Sequence, residues 1–166
     1  SFSTGEISGN NITIDAYLTS VGPTDVVEIK WRTTGGTATA YERTLIVEPI
    51  ASSEVTQASA TTSTTTTSAT DVLMNSMSIT PGAGDYVVYF SSSVAYDTTA
   101  ADLYTSIYVA GTQIAHTERD LYAEDSFLTT AFPIATQAVV TGLSTGDAIE
   151  IKWRTTGGTA TAYERT

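Results

Sequence analysis

Ile149, Ile151 and Trp153 alternate with Glu150, Lys152 and Arg154, apolar on one side and charged on the other. A period of two marks a strand with one buried face, because successive side chains of extended backbone point to opposite faces. Thr155-Thr156-Gly157-Gly158 then reads as a turn, and Thr159 to Thr166 as the returning strand. The same logic predicts strands at Val72–Ile79, Tyr86–Phe90, Leu103–Val109 and Thr136–Val140. Tyr86–Phe90 is apolar at every position, which predicts burial on both faces. Turns are expected at Pro81-Gly82-Ala83-Gly84 and Ser144-Thr145-Gly146-Asp147. Ala110-Gly111 is expected to turn the chain into a return strand over Thr112–Thr117. No window carries a helical period. Ala51–Thr70 is low-complexity Ser/Thr/Ala and reads as a linker, with 51–60 the linker proper. Threonine also suits an edge strand, so the later part of this stretch is expected to pair. Short strands with regular turns predict an all-β sandwich or barrel.

Residues 28–44 read EIKWRTTGGTATAYERT, and residues 150–166 read the same, an offset of 122 (150 minus 28). Identity over seventeen positions is a duplication, and a period this long describes a whole module per copy. The expected organisation is the C-terminal half of a first copy over 1–50 and a second copy over 51–166. In that reading the second copy lacks an equivalent of Leu45-Ile46-Val47-Glu48-Pro49-Ile50. A sheet short of one strand leaves unpaired backbone groups and an apolar slot. Leu45, Ile46, Val47 and Ile50 are therefore candidates to fill it, from the same chain or as a strand donated by a neighbour, and sequence beyond residues 1–166 is a third source.

Composition narrows the function. Eighteen acids against seven bases give a net charge of −11, which repels phosphate backbones and argues against nucleic acid as a partner. No apolar run is long enough to span a bilayer, so membrane insertion is not expected. Cysteine is absent, which removes disulfides, thiolate metal sites and cysteine nucleophiles together.

Candidate chemistry is sparse. Gly142-Leu143-Ser144-Thr145-Gly146 matches the G-x-S-x-G pattern, but that motif needs a helix after the serine and an alternating strand follows here. His116 is the sole histidine and is expected in a return strand, at the surface or facing an assembly axis. Glu118, Asp120, Glu124 and Asp125 form an acidic stretch, expected to be a solvated loop and a weak candidate for calcium. Trp31 and Trp153 fall on the apolar face of equivalent strands, where core packing is expected. Gly35-Gly36 and Gly157-Gly158 read as hairpin turns. Tyr86, Tyr89, Tyr104 and Tyr108 combine an apolar body with a polar tip and suit a core or subunit interface. No cofactor and no catalytic residue is expected.

Four segments in order carry a resemblance: Met77 to Tyr86, Tyr108 to Ile114, Leu143 to Ile151, and Tyr41 to Ile50. Together they resemble the strand-turn-Gly-x-Tyr start, central hairpin, Leu-x-x-Gly-Asp turn and closing strand of the C1q/TNF-like domains of bacterial and phage fibre proteins. The resemblance implies a two-sheet jelly roll, a compact homotrimer, and a structural or binding role in place of catalysis. The first copy departs from the pattern with Gly22-Pro23-Thr24-Asp25 at the Gly-Asp turn. The expected function is a non-enzymatic structural subunit of an extracellular or virion fibre or filament. Its partner would be itself, as a homotrimer or head-to-tail polymer held in part by strand exchange. The alternative is a tail-fibre or adhesin module that binds a host-surface glycan or protein receptor through its loops, including those around Gly22–Asp25 and Asp120–Asp125.

Overall fold

The computed structural model describes residues 18, 22–30, 32–37, 55–98, 100–123 and 131–166. They belong to two compact units, one over residues 16–55 and one that includes 56–166. Each is considered by itself.

The larger unit is all-β. Its strands are β1 (Thr64–Thr66), β2 (Val72–Ile79), β3 (Gly84–Tyr96), β4 (Ala101–Val109), β5 (Thr112–Gln113), β6 (Arg119–Ala123), β7 (Phe132–Leu143), β8 (Ile149–Thr155) and β9 (Ala160–Arg165). They form two antiparallel sheets packed as a sandwich. One runs β1-β9-β3-β7; the other runs β2-β8-β4-β5, with β6 also pairing β4. The low-complexity stretch does pair in its later part, as β1 against β9, with Thr64 opposite Ala162 and Thr66 opposite Ala160.

Alternation builds the core. In β8, Ile149, Ile151 and Trp153 are buried and Trp153 is only 1% exposed. They meet Met74, Met77, Leu103 and Ile107 of the same sheet and Phe90, Val94, Ile134 and Val140 of the other. Burying each such large apolar side chain contributes roughly 1.5–3 kcal/mol. Thr105 Oγ1 is buried in this core and has no hydrogen-bond partner among the described residues.

Irregularities are capped by side chains. The β2–β8 register shifts between Leu73 and Ser78, where Ser76 has φ 64°. Buried Arg165 covers this bulge, its Nε and Nη2 donating to the Asn75 carbonyl at 3.0 and 2.9 Å. Its Nη1 donates to Thr62 O and Tyr163 O, both at 2.8 Å. Ala110 and Gly111 take φ 47° and 79° between β4 and β5, the left-handed pair that a two-residue hairpin requires.

Three local expectations are revised. Tyr86–Phe90 is not buried on both faces: Val87 and Tyr89 are 57% and 56% exposed, so β3 alternates and one face meets solvent. The return strand after Ala110-Gly111 is only two residues long. His116 instead sits in a turn at φ 66°, its carbonyl accepting from Arg119 Nη1 at 3.0 Å. The acidic stretch is in part a strand: β6 pairs β4 with Asp120 opposite Tyr104, which a pattern search for apolar alternation passes over.

Candidate functional site

The two outer faces of the sandwich differ in chemistry. On the β1-β9-β3-β7 sheet, Val87 lies opposite Val139, Tyr89 opposite Gln137, Ser91 opposite Ala135 and Ser93 opposite Pro133. These outward positions alternate with the buried Phe90, Ser92, Val94, Ile134, Thr136 and Val140. None of the eight carries a charge, in a chain of net charge −11. Val139 is 70% exposed, the largest apolar exposure in this patch. Tyr163 of β9 is also exposed and lines an open groove of ≈340 Å³ with Thr61, Ser93, Ala131 and Glu164. Among the described residues, that lining gathers hydroxyls and one carboxylate.

The other outer face is a charged and aromatic lattice. Arg154 Nη1 pairs with Asp71 Oδ1 and Glu118 Oε2, each at 2.9 Å. The Arg154 guanidinium lies 4.0 Å from the centre of the Tyr104 ring, and Lys152 Nζ lies 4.5 Å from that of Tyr108. Lys152 also pairs with Glu150 at 3.4 Å. Burial works against the Arg154 charge, but the hydrogen bonds it donates to Glu118 and Asp71 outweigh it and hold the group above its ordinary pKa. Tyr108 donates its hydroxyl to Asp71 Oδ2 at 2.7 Å. Burial first, and then that carboxylate, push its pKa up to about 12. Tyr96, at the edge of the core, donates to Leu121 O and is raised further still, first by burial and then by Asp102.

The four candidate tyrosines are thus not one cluster. Tyr89 belongs to the uncharged face and Tyr104 and Tyr108 to the charged one, while Tyr86 donates to Gly82 O at 2.9 Å. Glu118 is engaged by Arg154 and by Gln113 Nε2, and Asp120 stands on β6. Glu124 and Asp125 lie outside the described residues, as do Leu45, Ile46, Val47, Ile50 and Trp31. Among the described residues, no group of three or more His, Cys, Asp or Glu is placed to hold a metal ion. Ser144 opens a turn that leads directly into β8, so the helix of a nucleophile elbow does not follow it.

A third feature comes from the repeat. In the smaller unit, Gly22 N donates to Asp25 Oδ2 at 2.7 Å and Asp25 N donates to Gly22 O at 3.1 Å. At the same offset, Ser144 N donates to Asp147 Oδ2 at 3.0 Å and Asp147 N donates to Ser144 O at 3.1 Å. Thr33 Oγ1 donates to Gly35 O at 2.7 Å, and Thr155 Oγ1 donates to Gly157 O at 2.7 Å. The aspartate, not the Gly-Asp dipeptide, therefore closes the first turn in both copies. Its signal was present in the sequence as two aspartates 122 positions apart. The local geometry repeats while the environment does not: Ile151 is 6% exposed and its counterpart Ile29 is 54% exposed.

The chain matches no protein-family model and no curated protein sequence. Among the described residues no helix is long and apolar enough to cross a membrane.

Proposed function

We propose that this protein is a non-enzymatic structural subunit of an extracellular or virion fibre, built on a C1q/TNF-like jelly roll and assembled from copies of itself. The observation that carries this reading is the strip on the outer face of β3 and β7 from Val87–Val139 to Ser93–Pro133, which carries no charge although the exposed Asp85 stands at its end. In a chain of net charge −11, two copies repel over most of their surface. An apolar strip without charge is where they can approach and bury area. Support for the jelly roll is the order of strands: β1, β3, β7 and β9 share one sheet, while β2, β4, β6 and β8, with the two-residue β5, share the other. Leu45–Ile50 remains the segment assigned to strand donation, on its apolar sequence.

The test is the assembled mass and shape of the purified chain, by light scattering with negative-stain microscopy. Trimers or fibres are the expected result, and Val139→Glu is expected to reduce them to single chains by placing a charge in the strip. A stable monomer before any substitution would sink the assembly reading and turn attention to glycan and receptor screens.

A further inference from the structure

Residues 28–44 and 150–166 present identical side chains in identical order, so a slot that accepts one accepts the other. In the sandwich that slot is filled by β8 between β2 and β4 and by β9 between β1 and β3. The anchoring groups within residues 150–166 recur in the first copy. Ile151 and Trp153 in the core correspond to Ile29 and Trp31. Lys152 and Arg154, over Tyr108 and Tyr104, correspond to Lys30 and Arg32. The two turns of the first copy already match those of the docked hairpin, with the Asp25-closed turn, the Thr33 loop and Gly36 at φ 67° against 62° for Gly158. Val26 and Ile29 are nevertheless exposed, at 78% and 54%.

We infer that residues 28–44 are a spare β8–β9 hairpin that docks into the module of a second copy of this chain, in place of that copy's own 150–166. The occupant is a second copy because the slot's apolar, aromatic and acidic lining is matched position by position by this sequence. The inference rests on the assembly reading above. A copy's own hairpin is tethered to its slot by the short Ser144–Asp147 turn, so an identical rival competes only from a neighbour held at high local concentration. Subunits joined through the β3–β7 face supply that neighbour, and exchange then stitches them together.

The chain has no cysteine, so introduced ones report alone. Leu73 of β2 stands opposite Lys152 in register, which makes it the expected neighbour of a docked Lys30. A full-length K30C chain and a full-length, affinity-tagged L73C chain are mixed, unfolded, refolded together and oxidised. A L73C/K152C chain that closes internally serves as the reference for the bond. The expected result is a mixed disulfide dimer whose yield rises with protein concentration. Adding I29D to the donor should cut that yield at least about tenfold, since a carboxylate would enter the apolar core. Ile29 lies outside the sandwich, so this change leaves the acceptor intact. A mixed dimer no more abundant than the I29D background overturns the inference. So does a K30C/L73C double variant that closes only within one chain. Light scattering on the unaltered protein separates the two readings: assemblies without the mixed disulfide remove hairpin exchange alone, and monomers without it remove both.

Discussion

Gly158 and Gly36 hold the same place in two copies of one turn, both with left-handed backbone. Their surroundings differ. A methyl group on Gly158 would collide with Thr98 Cγ2 and come within 2.7 Å of Asp97 Oδ1, whereas no described residue lies within 4 Å of the equivalent point on Gly36. Asp97 is no bystander, because its carboxylate accepts from Thr159 N, and that bond holds its carboxyl below the ordinary carboxylate range. Any L side chain in the left-handed region costs roughly 1–2 kcal/mol. Gly158→Ala adds to this the displacement of residues 97–98, and should lower the melting temperature of the sandwich well beyond the strain alone. In a chain whose own residues 150–166 fill the slot, Gly36→Ala should leave that transition where it is. Thermal denaturation followed by circular dichroism on both variants checks the pair; equal losses would contradict the difference in environment.

At the scale of elements, the β2-β8-β4 surface is held by groups whose protonation matters. Tyr108 has its pKa raised to about 12 from an ordinary 10. Its neutral form is the one the fold favours, so the stability it contributes is fully present below pH 10 and declines as pH rises from 10 towards 12. Alkaline denaturation of Tyr108→Phe should therefore be less steep across that window than that of the parent. An unchanged slope would mean that Tyr108 titrates normally. Much of the sandwich was legible in the sequence. The alternation of Ile149 to Arg154 fixes both faces of β8, and the threonine-rich stretch betrays β1 by propensity. The β3 outer face was hidden for a simple reason: Val87 and Tyr89 are as apolar as their buried neighbours, so no period of two appears. β6 was hidden by its two charged residues, which are accommodated because its partner β4 offers Tyr104 and Thr105 opposite Asp120 and Arg119. The long reach of Arg165 to Asn75, ninety positions away, leaves no trace in local pattern at all.

For the whole molecule, charge sets the conditions of association. A net charge of −11 makes the approach of two chains unfavourable until counterions screen it, over a length of about 10 Å at 0.1 M salt. Assembly through an uncharged face should strengthen as salt is raised from a few millimolar to physiological levels, the reverse of an interface built on ion pairs. Sedimentation velocity across a salt series reads this directly, and a fall in assembled mass with salt would point instead to the Arg154–Asp71–Glu118 face.

The seam between β1 and β9 also sets how the module responds to load. Thr64 at the start of β1 lies beside Ala162 near the end of β9, and Ala60 bridges Arg165 just beyond. The incoming and outgoing chain therefore meet at one end of the seam. Tension between residue 60 and residue 166 would peel these strands apart one hydrogen bond at a time, without sharing the force among them in shear. A filament whose only longitudinal link were the covalent chain would yield at low force. Its tensile strength would have to come from strands anchored in neighbouring subunits.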